Sequence, residues 1–120
     1  MGVSLYNVRE YKKGEWAMVG DWENAEPGVK RKIFPPGKSV MMMEVHFEKG
    51  AEGYQHSHPH EQLTYVMKGS FQFTIEGEQT TVSQGETIVI PGNHKHGVIA
   101  LEEGILLDTF TPLREDLLNR

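Results

Sequence analysis

The sequence predicts an all-β fold, a sandwich or barrel of short strands that ends in a short C-terminal helical turn. Its 120 residues include 13 glycines and 6 prolines, which lie between short apolar runs rather than inside long ones. The runs recur every ~8–12 residues, a spacing typical of β-sandwiches and barrels. A helical pattern is confined to the tail, so strands must supply the core.

The central predicted strand is Val40–Phe47, in which the side chains of alternate residues face opposite sides. One face is predicted to carry Met41, Met43, Val45 and Phe47. Two further strands, Leu63–Lys68 and Phe71–Glu76, are predicted to form a tight hairpin through Gly69-Ser70, because dipeptides of this kind are frequent hairpin turns.

Turn residues delimit the other strands. Glu76-Gly77-Glu78 marks a second turn, and Pro91-Gly92 ends a short apolar run. The remaining strands are predicted at Thr80–Ser83, Thr87–Ile90, His96–Leu101 and Ile105–Thr111. The tail, Leu113–Leu118, has room for a helix of about one or two turns.

We predict a single domain over residues 1–120, because this length suits one core and leaves no room for a second. Residues 38–111 would form the barrel and residues 112–120 the tail. Residues 1–34 would contribute strands that cover the barrel, predicted at Trp16–Val19 and Val29–Phe34.

One predicted outer face is apolar. The residues of Leu63–Lys68 that point away from the interior are Leu63, Tyr65 and Met67. An apolar outer face requires a cover, either the N-terminal segment or a second subunit. We therefore expect a homodimer.

Composition excludes several classes of function. The net charge is -5 and no block of Lys and Arg resembles a nucleic-acid footprint, which argues against a nucleic-acid partner. No window approaches the ~18 apolar residues of a membrane span, and the first residues lack the pattern of a signal peptide. The chain has no cysteine, so thiolate ligands, a cysteine nucleophile and disulfides are excluded. A soluble cytoplasmic protein is expected.

The histidines form the most informative pattern. In an extended chain His56 and His58 point to the same side, Gln62 has the same parity, and His96 can join them from a distant strand. Imidazole and amide donors form a neutral ligand set that suits one divalent ion such as Ni, Zn, Fe or Mn. The alternative is that these histidines lie on solvated loops.

The other histidines are expected to have different roles. His46 shares the solvent side of its strand with Glu44, which indicates a structural role. His60 and His94 lie next to the predicted site, where a supporting or surface role is expected rather than metal ligation.

Two segments resemble the two motifs of the cupin superfamily. Residues 50–69 read GAEGYQHSHPHEQLTYVMKG, and residues 85–96 read GETIVIPGNHKH. The resemblance implies a cupin barrel, a double-stranded β-helix of the jelly-roll type, that binds a metal. Gln62 stands where cupins usually have Glu, Asn93 replaces a Gly, and Ala100 replaces an Asn. The neutral amide would leave the ion its full charge, which strengthens its Lewis acidity but weakens its binding.

The last strand carries a second set of candidates. Leu106, Asp108 and Phe110 share one face, and Arg114 follows. An aspartate beside a metal is a natural general acid and base, and an arginine is a natural clamp for a substrate carboxylate. The alternative is structural: Asp108 would bond to backbone, and Arg114 would pair with Glu115 or Asp116 on a solvated helix.

The segment DTFTPLRED, residues 108–116, resembles the C-terminal signature of KdgF-type cupins, the pectin degradation proteins. The resemblance implies an isomerase that opens 4,5-unsaturated monouronates, carboxylated sugars from pectin or alginate, into linear keto-aldehyde acids. It implies His56, His58, Gln62 and His96 as metal ligands. It also implies that Asp108, Phe110 and Arg114 act on the substrate. Two other functions stay open, a metal-dependent dioxygenase and a non-catalytic metal- or sugar-binding module.

Overall fold

The computed structural model describes residues 19–120, which form ten strands and one short helix. The predicted all-β fold is confirmed. The elements are β1 (Trp22–Asn24), β2 (Val29–Ile33), β3 (Met41–Phe47), β4 (Glu52–His56), β5 (Glu61–Lys68), β6 (Ser70–Ile75), β7 (Glu78–Ser83), β8 (Thr87–Ile90), β9 (His96–Ala100), β10 (Gly104–Thr111) and α1 (Glu115–Leu118).

The strands form two antiparallel sheets. One has six strands in the order β1-β2-β3-β10-β5-β8, and the other has four in the order β4-β9-β6-β7. Alternation places Met41, Met43, Val45 and Phe47 of β3 in the core, as predicted. Phe47 of the larger sheet contacts the fully buried Phe71 of the smaller one, with ring centroids 5.2 Å apart. The core therefore fills the space between the sheets.

One predicted connection is wrong. Strands β5 and β6 do not pair through Gly69-Ser70, because β5 belongs to the larger sheet and β6 to the smaller. Gly69 has a φ of 87°, and a Cβ there would lie 2.7 Å from the carbonyl oxygen of Glu103. The glycine therefore marks a tight corner between sheets, which a turn dipeptide alone does not distinguish from a hairpin. The second predicted turn, at Glu76-Gly77, does form a hairpin, and it joins β6 to β7.

The sequence did not indicate β1 and β4. Strand β4 is mostly exposed and lacks the alternation of a half-buried strand, yet it pairs with β9. The predicted strand Val29–Phe34 is observed as β2, which hydrogen-bonds to β3 and extends the larger sheet. Residues 16–18 of the predicted strand Trp16–Val19 lie outside the described residues. Val19 itself makes an isolated parallel bridge to Ile33.

The predicted apolar outer face is also observed. Leu63, Tyr65 and Met67 are exposed on β5, whereas Gln62, Thr64 and Val66 on its other side are buried. The adjacent strand β8 adds exposed Val89 to this face. At the tail, helix α1 packs Leu117 and Leu118 into the core. Within residues 19–120, no helix is long and apolar enough to cross a membrane.

Candidate functional site

The structure brings three histidines together at one end of the barrel. His56 ends β4 and His96 begins β9, and the two residues face each other in the register of that strand pair. His58 lies in the loop that follows β4. One nitrogen atom from each of the three rings lies within 4.8 Å of the other two, a spacing at which they could hold a metal ion. His58 and His96 are buried, and His56 is exposed.

Backbone carbonyls fix the protonation of the three rings. The Nδ1 atoms of His56, His58 and His96 lie 2.8, 3.1 and 2.9 Å from the carbonyl oxygens of Tyr54, His60 and His94. A carbonyl can only accept, so each Nδ1 carries a proton, and in a neutral ring of this tautomer Nε2 has the lone pair. In the described part of the chain, the buried Nε2 of His96 has no hydrogen-bond partner. This is the tautomer and the unused acceptor that metal ligation requires.

Gln62 has its side-chain oxygen turned toward the same point. The hydroxyl of Thr64 donates to Oδ1 of Asp108 at 2.6 Å and accepts from Nε2 of Gln62 at 2.9 Å. This relay directs Oε1 of Gln62 to Nε2 of His58, 3.2 Å away. Both of these atoms are acceptors in this arrangement, so they do not hydrogen-bond to each other. A cation beside them would satisfy both, and the donor set therefore fits a metal ion.

Burial keeps His58 and His96 neutral. Burial lowers the pKa of His58 to about 4, and the nearby Arg114, His96 and His56 contribute in the same direction. Burial also lowers the pKa of His96. Both imidazoles are therefore unprotonated at neutral pH, which is the form that binds metals.

Asp108 is a carboxyl group in the interior. It lies on β10 between Met43 of β3 and Thr64 of β5 and is 6% exposed. Burial raises its pKa to about 6, although the hydrogen bond from Thr64 and the charge of Arg114 oppose the rise. A carboxyl group poised near neutrality in a cavity is suited to proton transfer.

Phe110 packs edge-to-face against His58, and the guanidinium of Arg114 lies over the Phe110 ring. The ring centroid of Phe110 is 5.6 Å from that of His58, and the guanidinium carbon of Arg114 lies 4.9 Å from the Phe110 ring centroid. Nε and Nη2 of Arg114 donate to the carboxylate of Asp116 at 3.0 and 2.7 Å. The predicted pairing of Arg114 with Asp116 is thus observed, but not on a solvated surface, since Arg114 is only 8% exposed.

These side chains line one cavity of about 110 Å³. Its walls include His56, Gln62, His96, Asp108, Phe110 and Arg114. Sequence reasoning missed two further residues. Arg31, which also lines the cavity, shares a strand face with the apolar Val29 and Ile33. Thr64 shares the inner face of β5 with Gln62. In both cases the alternation of side chains along the strand could have predicted that the residue faces the interior.

The remaining histidines lie outside this cluster. On the outer face of β3, Nε2 of His46 contacts Oε2 of Glu44 at 2.6 Å, as its predicted structural role requires. His60 donates from Nε2 to the carbonyl oxygen of Leu113 at 3.0 Å and so joins the His58 loop to the tail. His94 is exposed and bonds to the backbone of Gly92.

The loop that carries His58 packs closely on the Pro91-Gly92 turn. A Cβ on Gly92 would lie 2.4 Å from the carbonyl oxygen of Pro59. The next residue, Asn93, has a φ of 64° and donates its backbone N–H to the carbonyl oxygen of His58 at 2.7 Å. Asn is among the few residues that enter this left-handed conformation readily, which explains why it can replace a Gly at this position.

Comparisons with known proteins agree with this geometry. Residues 43–110 match the family described as Cupin domain. Pectin degradation protein KdgF of Dickeya dadantii (strain 3937) is 46% identical over 99 residues, 81% of this chain and 90% of the relative. The structure of KdgF from a Halomonas species is 40% identical with a TM-score of 0.77, covering 82% of this chain and 93% of that one. An RmlC-like cupin from Shewanella frigidimarina NCIMB 400 is 34% identical, with a TM-score of 0.76 over 89% of this chain and 94% of that one.

Proposed function

Because this chain belongs to the cupin family and to its KdgF-type members, we propose that it is a metal-dependent isomerase of 4,5-unsaturated monouronates. It would convert these products of pectin or alginate breakdown into linear keto-aldehyde acids. The observation that carries the proposal is Asp108, a buried carboxyl with a pKa of about 6 in the same cavity as the histidine cluster.

We assign the metal ligands to His56, His58, Gln62 and His96. The assignment is supported by the shared tautomer of the rings, the unpartnered Nε2 of His96 and the facing acceptors of Gln62 and His58. Imidazole and amide donors suit Ni, Zn, Fe or Mn. A bound divalent ion would supply a Lewis acid that polarises the oxygens of the substrate.

Asp108 would move the protons. Ring opening removes the proton of the C1 hydroxyl and breaks the bond between C1 and the ring oxygen, which leaves an aldehyde and an enol. The enol then loses its hydroxyl proton and gains one at C4 to become a ketone, so the reaction is an isomerisation without a redox step. A carboxyl with a pKa of about 6 is mostly ionised at neutral pH and still returns a proton readily. The Thr64 hydroxyl holds it in place through Oδ1.

Arg114 and Phe110 would position the substrate. Asp116 accepts from Nε and Nη2 of Arg114, which leaves Nη1 as the donor for a substrate carboxylate. Phe110 lies beneath the guanidinium and forms an apolar wall of the cavity. The stacking keeps the planar guanidinium in one orientation, and this orientation is what recognition of a planar carboxylate requires.

The test mixes metal-loaded protein with 4,5-unsaturated galacturonate or mannuronate and follows the loss of the conjugated chromophore. The proposal expects turnover with the redox-inert Zn²⁺ and no uptake of oxygen, both of which a dioxygenase would contradict. A rate equal to that in buffer would refute isomerisation and favour a binding module.

We also propose a homodimer that forms through the outer face of β5 and β8. Leu63, Tyr65, Met67 and Val89 are exposed side by side on these neighbouring strands. A second copy of this chain offers the same apolar surface, as a two-fold interface requires. Light scattering after size exclusion measures the mass of the particle directly.

A further inference from the structure

Arg31 is a charged residue on an otherwise apolar inner face. Its strand, β2, has the buried Val29 and Ile33 on the same side, and Arg31 pairs in register with Val45 of β3, which also points into the core. A guanidinium on such a face needs hydrogen-bond acceptors, because burial removes the water that would otherwise solvate it. Val45 supplies none, so the acceptor must come from the partner on the other side, Glu23 of β1.

The structure gives Arg31 little hydrogen bonding. Its Nη2 donates to Oε1 of Glu23 at 3.2 Å, a long distance for a charged pair. Glu23 is held more firmly by Arg120, whose Nη1 and Nη2 donate to its two oxygens at 2.7 Å each. Within residues 19–120, the buried Nε of Arg31 has no partner. The hydrogen-bonding capacity of this guanidinium is therefore largely unused.

Arg31 lines the same cavity as Asp108, His96 and Arg114. The two arginines of this cavity differ in how many hydrogen bonds they already donate. Arg114 already donates twice to one carboxylate, that of Asp116, at 3.0 and 2.7 Å. Arg31 has a single long contact. The side chain with more remaining capacity for an anion is Arg31.

Another carboxylate lies near this wall. Glu26 also lines the cavity, and its Oε1 accepts from the backbone N–H of Tyr54 at 3.4 Å. Glu23 and Glu26 would repel an anion unless a cation stood on the same wall. Arg31 and Arg120 supply two cations beside these two carboxylates, so the wall has no net negative charge and Arg31 can accept a negatively charged ligand.

We propose that Arg31 is a further substrate-binding residue that holds the carboxylate of an acidic sugar together with Arg114 of the same cavity, while Glu23 positions the Arg31 guanidinium. The identity of the anion rests on the proposed function; the anion site itself rests on the placement of Arg31. A guanidinium has five N–H donors, and Arg31 uses one of them with Glu23, so donors remain for a carboxylate while that contact is kept.

The test compares Arg31→Gln with Lys30→Gln. Lys30 is the preceding residue, is exposed and faces the opposite side of β2, so its variant removes the same charge without touching the cavity. Saturated galacturonate, which has no double bond to react, and neutral galactose are the probes, and calorimetry measures their binding to metal-loaded protein. Kinetics with the unsaturated uronate give KM and kcat separately.

Arg31→Gln is expected to weaken galacturonate binding and raise KM roughly 10- to 100-fold, the range for a lost hydrogen bond to a charged group, with little change in kcat. Galactose binding should be unaffected, and Lys30→Gln should behave as wild type. Arg31→Lys retains the charge but loses the paired donors, so it should be intermediate; it also serves if the Gln variant fails to fold.

Galacturonate affinity within about twofold of wild type in Arg31→Gln or Arg31→Lys would overturn the inference, as would a wild type that does not bind galacturonate. Failure of the proposed function looks different. In that case the unsaturated uronate would not turn over, while the loss of galacturonate binding in Arg31→Gln would still reveal the anion site.

Discussion

Replacing Thr64 by valine removes one hydroxyl from the centre of the site and changes the shape of the side chain very little. Thr64 is fully buried, and its hydroxyl accepts from Gln62 at 2.9 Å and donates to Asp108 at 2.6 Å. The variant therefore leaves an amide N–H and a carboxylate oxygen without this partner. At about 1–3 kcal/mol for each of the two unsatisfied buried groups, we expect a loss of about 2–6 kcal/mol in the free energy of unfolding.

The larger consequence concerns the metal. Without Thr64, nothing in the relay directs Oε1 of Gln62 toward His58, so the fourth proposed ligand loses its orientation. Removing a group that orients a ligand typically lowers metal affinity about 10- to 100-fold. Thr64→Ser is the matched control: it retains the hydroxyl, loses one buried methyl worth about 1 kcal/mol, and should bind metal as wild type does.

The assay is a competition titration of Ni²⁺ or Zn²⁺ against a chelator of known affinity, with unfolding measured in parallel by urea. Affinity in Thr64→Val equal to that of wild type would refute the assigned role of the relay. A stability loss without a loss of affinity would show that Thr64 supports the fold alone.

Three further variants test other parts of the structure. Asp108→Asn should lower the rate of uronate conversion about 10²- to 10⁴-fold while metal affinity is retained, whereas Glu102→Gln on the surface should leave the rate unchanged; equal rates in both variants would contradict the role of Asp108. Glu23 has its pKa lowered below 4.5, first by the hydrogen bond from Arg120, so its stabilisation is present above pH 4.5 and fades as the pH falls through the lowered value. Glu23→Gln should therefore lower the melting temperature at pH 7 and lose this difference in acid, which thermal scans across pH would measure; a difference that persists in acid would disagree. Tyr65→Lys should halve the particle mass measured by light scattering, and an unchanged mass would argue against the proposed interface.

Alternation in the sequence was sufficient to predict most of the strands and which of their faces point inward. It placed Asp108 and Phe110 on one face of β10 and Leu63, Tyr65 and Met67 on the outer face of β5; in the structure the first of these faces is buried and the second is exposed. The spacing of the histidines predicted that they would meet, because residues two apart in an extended chain share a side.

The remainder depends on tertiary contacts that local patterns do not encode. Gly69-Ser70 has the composition of a hairpin turn, but the proximity of Glu103 makes it a corner between sheets. Strand β4 is stabilised by pairing with β9 rather than by its own apolar residues. The two interpretations of Arg114 were both incomplete, since the side chain pairs with Asp116 while buried at the cavity.

The most direct measurement is the rate at which metal-stripped and metal-reloaded protein consume 4,5-unsaturated galacturonate, with the product identified by NMR. We predict that the stripped protein is inactive, that activity returns in proportion to metal up to one ion per chain, and that the product is the linear keto-aldehyde acid. A rate that is independent of metal, or a chromophore that decays no faster than in buffer, would contradict the proposed function.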